Sequence, residues 1–340
     1  MNYKINLERS FFSEKPFVIL KNNEFTVTLF KYESNIEGLE IKNSRGKVIV
    51  LPFMGQMIWD VEFDAVNLKM KNMFRQPKPV ECIVDTYGCF AFHSGLLANG
   101  CPSPEDTHPL HGEMPCETMD HAWLELEDDA VVIGGDVEYA QGFGHHYIAS
   151  PSVRLASKMA NIQIGMKVKN LASVPMPLQY MCHMNYAYVA DGIISSNLPD
   201  MAFKLRESIP AHVKPTELWL EYNEEIKKMQ LAGKTLSKLD QPYMYDPEIV
   251  FMADKIEQYG DLAEFEIASP EGYTFFTKFS TQEFKYATRW ILYNGDQQVA
   301  AFVLPGTCRP EGFTAAQKAK SLILLEPGEQ RVFLVITGKK

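Results

Sequence analysis

Two segments of the chain hold residue types able to exchange protons near neutral pH: Thr107-His108-Pro109-Leu110-His111-Gly112-Glu113-Met114-Pro115 and, well downstream, Tyr180-Met181-Cys182-His183-Met184-Asn185-Tyr186. Imidazole is the side chain best matched to that chemistry. The first segment closes a long polar stretch, Leu96 to Pro115, rich in Pro and Gly, and loops of that length in a compact domain are usually functional or disordered. The second, read as a strand, puts Met181, His183 and Asn185 on one face, where inward-facing polar groups are costly unless paired or functional. The bland alternatives are that His108 and His111 satisfy loop backbone groups and that His183 is a buried structural histidine. Cys182 would take the face opposite His183, which argues against a Cys–His nucleophile pair. His145 and His146 cannot share a strand face either, and the preceding Gly142-Phe143-Gly144 reads as a turn.

His108, His111, Glu113 and His121 together offer nitrogen and oxygen donors for a metal. Their spacing argues against one, since Pro109 interrupts any strand ladder between the first two and no His-Glu-x-x-His helix is present. The six cysteines form no Cys-x-x-Cys pair and read as small, reduced, buried hydrophobes. Gly142-Phe143-Gly144 lacks the third glycine and following helix of a dinucleotide site. No metal and no cofactor are expected.

The elements that must position these residues are strands. Phe25, Val27 and Leu29 alternate with Thr26 and Thr28, and Ile162, Ile164, Met166 and Val168 with Gln163, Gly165, Lys167 and Lys169. The same period recurs at Trp123 to Glu127, Glu264 to Ile267 and Tyr273 to Phe279. Leu322 to Leu325, Glu326-Pro327-Gly328-Glu329 and Val332 to Ile336 read as strand, turn, strand. Asn43-Ser44-Arg45-Gly46, Glu127-Asp128-Asp129, Pro270-Glu271-Gly272 and Asn294-Gly295-Asp296 are turns of a β meander. One segment, Pro215 to Leu239, reads as a helical insertion. The fold class expected is all-β: one large antiparallel β-sandwich, residues 1–340 forming a single domain without a linker or short repeat.

A chain of 340 residues, 46% hydrophobic, can bury a sizeable core. Its net charge of −10 argues against a broad electrostatic grip on nucleic acid. The N-terminus lacks the apolar core of a secretory signal, and no apolar run approaches the roughly 20 residues that span a bilayer. A cytoplasmic protein, monomer or homodimer, with no membrane partner is expected.

Three runs in order, Leu110-His111-Gly112-Glu113, then Lys169-Asn170-Leu171-Ala172-Ser173-Val174-Pro175-Met176-Pro177 leading into His183-Met184-Asn185-Tyr186, and finally Leu325-Glu326-Pro327-Gly328-Glu329, give the chain a resemblance to the galactose mutarotase-like superfamily, the aldose 1-epimerases. It is similar to a divergent branch of that superfamily, over residues 20 to 337. The resemblance implies a large twisted β-sandwich with a sugar cleft, and an isomerase that interconverts the anomers of a free aldose by acid–base ring opening. It implies His183 as general acid, His111 as a second histidine polarising the reacting end, and a small-molecule carbohydrate as partner. Asn185, Asp246, Arg289 and His108 become candidate sugar contacts, with Trp290 a candidate stacking surface.

One departure stands out. The resemblance implies a base glutamate on a late strand, and in Ala300-Ala301-Phe302-Val303-Leu304-Pro305 its place is taken by Leu304. Glu113 and Glu311 are the candidate substitutes, Glu113 because it would share the face of His111 if that segment is extended. The alternatives to an isomerase are a non-catalytic carbohydrate-binding protein on the same fold and a metal-dependent sugar isomerase.

Overall fold

The computed structural model describes residues 3–340, and among them the chain forms two antiparallel sheets of nine and thirteen strands. All four turns read from the sequence join neighbouring antiparallel strands: Glu37–Asn43 to Gly46–Val50, His121–Leu126 to Ala130–Ala140, Leu262–Ala268 to Thr274–Ser280, and Tyr286–Tyr293 to Gln298–Gly306. The run at Glu326 to Glu329 does something different. It connects Ile323–Leu325, paired in the larger sheet to Met176–Met184, with Gln330–Lys339, which runs between two strands of the smaller sheet.

Alternation explains the layering. Val27 and Leu29 in Thr26–Lys31 are fully buried, as are Ile162 and Val168 in Asn161–Asn170, and their partners in sequence face outward. The apolar faces of both sheets merge into one core that includes Tyr147, Tyr180, Tyr186, Phe265, Phe275 and Phe302. The expectation of an all-β antiparallel sandwich is met.

The helical insertion is shorter than Pro215 to Leu239: the helix spans Glu217–Leu231. Thr216 caps it by accepting from the Trp219 amide, and Trp219, Tyr222 and Ile226 bury one face. Gly233, with φ of +74°, ends it, and Lys238 beyond bridges to Ile193 in extended form. A second short helix, Phe313–Lys318, has no counterpart in the hydrophobic periodicity. No helix among the described residues is long and apolar enough to cross a membrane.

Candidate active site

Four strands of the larger sheet build the floor of a cleft of about 700 Å³, and a fifth, Ala91–Leu96, flanks them. Ala91–Leu96 pairs with Met176–Met184, which touches Gln298–Gly306, followed by Tyr286–Tyr293 and Ile249–Asp254. Period two then selects the lining: Met181 and His183, Leu304, Thr288, Trp290 and Leu292, and Val250 face the cleft. The segment from Arg206 to His212 passes over it and contributes Arg206, Pro210, Ala211 and His212.

His111 and His183 meet here, their rings edge to face with centroids 4.8 Å apart. His183 stacks on Phe92, its cross-strand partner, at 4.5 Å and 13°. Its Nε2 lies 3.2 Å from the hydroxyl of Tyr87, a half-buried residue whose phenol stays protonated because burial pushes it well above its ordinary pKa. The two are hydrogen-bonded, and the His183 tautomer sets which of them donates. Asn185 stands beside His183, its amide nitrogen donating to the Cys89 carbonyl. Burial, then the neighbouring His111, press the His183 pKa well below its ordinary value, with Asn185 acting weakly against them.

His111 arrives from a loop. Its φ is +65° and that of Gly112 is +78°, and a Cβ at residue 112 would come within 2.2 Å of the Ala98 carbonyl, so only glycine fits. Its amide donates to the Gly100 carbonyl and its carbonyl accepts from the Gly95 amide. Burial lowers the His111 pKa to about 3, His212 adding to the effect and Glu248 opposing it. Both imidazoles are neutral at neutral pH.

The buried carboxylate of the cleft is Glu248. One of its oxygens accepts from Arg206 Nη2 at 2.6 Å and lies 3.8 Å from His212; the other accepts from Trp290 Nε1 at 2.7 Å. Burial by itself would raise Glu248, but His212 and Arg206 outweigh it and hold the carboxyl below its ordinary value. The insertion helix secures this corner, since Trp219 Nε1 donates to the Glu248 carbonyl.

The remaining sequence candidates divide by geometry. Asp246 is at the rim of the cleft, 3.4 Å from the Asn294 amide. Arg289 is not in the cleft: adjacent residues of a strand face opposite ways, and with Trp290 on the cleft side Arg289 is buried beneath, bonded to the Leu236 and Phe302 carbonyls. Glu113 is also elsewhere. The two left-handed residues before it turn it away from the face of His111, and its Oε1 accepts from the Leu96 and Leu97 amides and the Tyr147 hydroxyl. Glu311 sits next to the cleft residue Pro310 but is tied to Ser208 at 2.6 Å and Arg309 at 3.7 Å. His108 donates to the Pro109 carbonyl, off the cleft wall, and His121 is exposed on the opposite sheet. The donors of the metal-dependent reading are not gathered: among the described residues no group of three or more His, Cys, Asp or Glu could hold a metal ion.

Glu248 and Tyr87 escaped the sequence reading. Glu248 carried a signal, for it follows the candidate Asp246 by two residues and an extended chain puts both on one side. Tyr87, a lone aromatic just after the short helical turn Ile83–Thr86, carried none.

Three buried neutral histidines, His93, His111 and His183, have a consequence for stability. The folded pKa of His93 is about 4 and that of His111 about 3, both below the unfolded 6.5. Between those values the unfolded chain binds more protons than the folded one, so stability is full above pH 6.5 and falls as pH drops toward 4. With His183 contributing in the same direction, the slope reaches about 4 kcal/mol per pH unit. Urea midpoints measured from pH 7.5 down to 4.5 should fall steeply below 6.5; a flat profile would show that these histidines protonate in the folded state.

No family model matches the sequence, and no curated protein does. Solved structures do match. A candidate aldose 1-epimerase from Klebsiella pneumoniae superposes with a TM-score of 0.77 at 14% identity, over 99% of this chain and 87% of its own. A galactose mutarotase-like protein from Clostridium acetobutylicum gives 0.64 at 13% identity, over 94% of this chain and 99% of its own. Another from Lactobacillus casei gives 0.57 at 13% identity, over 89% and 100%. Identities this low speak to architecture alone, and the architecture of this chain is the galactose mutarotase-like β-sandwich.

Proposed function

We propose that the protein is a carbohydrate-active isomerase of the aldose 1-epimerase type, opening and reclosing the ring of a free aldose bound in the cleft over His111 and His183. The observation that carries this reading is the meeting of the two neutral imidazoles, 4.8 Å apart, in a cleft where the ionised Glu248 is clamped to Trp290, whose ring packs edge to face against His183 at 5.7 Å. A neutral imidazole can take or give one proton without first shedding another. Glu248 retains lone pairs for sugar hydroxyls, and the Trp290 ring, fixed by its bond to Glu248, offers a flat apolar face to the C–H side of a sugar.

Leu304 favours a second reading. Buried and facing the cleft opposite Thr288, it brings no proton acceptor to that part of the wall, as a binding or sensing protein would tolerate. Both readings require a sugar beside Trp290. A titration of tryptophan fluorescence with aldoses, their uronic acids and phosphates tests this, with Trp290→Phe as the control. At least one sugar should give a saturable change that the variant loses; no saturable change with any of them would sink both readings.

A further inference from the structure

We propose that His111 itself carries the proton in this cleft, held by the chain Ser94–Asn99–Cys308–Gln179 in the tautomer that leaves Nε2 as an open acceptor. The inference rests on the isomerase reading above and assigns its missing base.

The direction of that chain is fixed at its far end. Gln179 Nε2 lies 3.2 Å from the Leu97 carbonyl, which can only accept, so the Gln179 carbonyl oxygen faces the Cys308 thiol at 3.4 Å. The thiol, pushed by burial up to about 11, keeps its proton and donates it there. Its sulfur then receives the Asn99 amide at 3.9 Å, which turns the Asn99 oxygen toward Ser94, 2.6 Å away. Ser94 has one proton. The Asn99 oxygen can only accept, so the 2.6 Å contact takes that proton, and the Ser94 oxygen is left to receive His111 Nδ1–H at 3.1 Å. Neutral His111 is thereby protonated at Nδ1 and unprotonated at Nε2. Nε2 has no protein partner among the described residues, and His111 lines the cleft.

The other candidates are engaged. His183 Nε2 is engaged in a hydrogen bond with the Tyr87 hydroxyl. Each Glu248 oxygen already accepts one strong hydrogen bond, from Arg206 or Trp290, which weakens it as a base while leaving its second lone pair for a sugar hydroxyl. Leu304 has nothing to offer a proton.

A single nitrogen suffices because the anomeric and ring oxygens hang on the same carbon. The anomeric O–H proton moves to Nε2, and the electron pair it leaves becomes the new C=O bond. The bond from that carbon to the ring oxygen breaks with its pair on the ring oxygen. The imidazolium then returns its proton to that oxygen; the burial that makes it a strong acid also makes the neutral ring a weak base, so the proton rests on Nε2 only in passing. Rotation about the bond to the second carbon and the reverse sequence give the other anomer, with His111 unchanged. Here His111 is the catalytic residue; Ser94, Asn99, Cys308 and Gln179 are positioning residues.

The test combines nitrogen NMR of the ring with anomer exchange. In the wild-type chain labelled with ¹⁵N-histidine, the His111 signals, identified by their loss in His111→Gln, should report protonated Nδ1 and bare Nε2 at pH 7. In Ser94→Ala a buried Nδ1–H would have no acceptor, so the proton should shift to Nε2, and exchange of a bound aldose should fall about a hundredfold while its affinity stays within twofold. An Nε2–H tautomer in the wild type, or undiminished exchange in Ser94→Ala, overturns the assignment to His111 and leaves the isomerase reading intact. Sugar binding with no protein-dependent exchange in the wild type overturns both.

Discussion

Replacing Glu113 with leucine is expected to destabilise the fold by about 3 kcal/mol, a larger effect than its distance from the cleft suggests. One carboxylate oxygen accepts from two consecutive backbone amides, Leu96 and Leu97, at 2.9 and 2.8 Å, and from the buried Tyr147 hydroxyl at 2.8 Å. Leucine leaves all three donors without a partner, each costing about 1–3 kcal/mol, offset in part by water reaching this half-buried site. Glu113→Gln keeps an acceptor oxygen and should lose about 1 kcal/mol or less. The same variant should keep its sugar affinity and anomer exchange, because Glu113 does not reach the cleft. Urea unfolding supplies the first comparison; a loss of exchange in folded Glu113→Gln would return this residue to the chemistry.

The second large effect is expected at Glu248. Arg206 and Glu248 form a pair whose side chains are both less than a tenth exposed. Removing one member of a buried pair leaves the other charge unmatched, at about 3–5 kcal/mol, whereas replacing both by apolar groups is often close to neutral. Glu248→Leu should therefore be strongly destabilised and Glu248→Leu with Arg206→Met largely restored, a non-additive cycle. Sugar affinity should not return with stability, since the double variant lacks the acceptor for sugar hydroxyls and the anchor of Trp290. A double variant that binds as the wild type does would remove Glu248 from the site.

The strand pattern was legible because each sheet buries one face, so alternation at Val27, Leu29, Ile162 and Val168 repeats in the burial. The turns were legible through their Gly, Asn and Asp. The site was legible where strand periodicity governs it, at His183, and where a long loop announced it, at His111. It was misread where periodicity was not applied between neighbours: Arg289 and Trp290 cannot both face the cleft. It was misread again where backbone conformation overrides the pattern, since the left-handed pair His111 and Gly112 sends Glu113 away. Glu248 was overlooked because its partners Arg206 and Trp290 are brought to it only by the fold.

The most direct measurement of the central claim is two-dimensional exchange NMR on the anomeric protons of an aldose that the fluorescence titration shows to bind. Added protein should accelerate interconversion of the two anomers in proportion to its concentration, and folded His111→Gln should lower that acceleration by about 10² to 10⁴. Saturable binding without any acceleration, or acceleration that survives intact in His111→Gln, would contradict it.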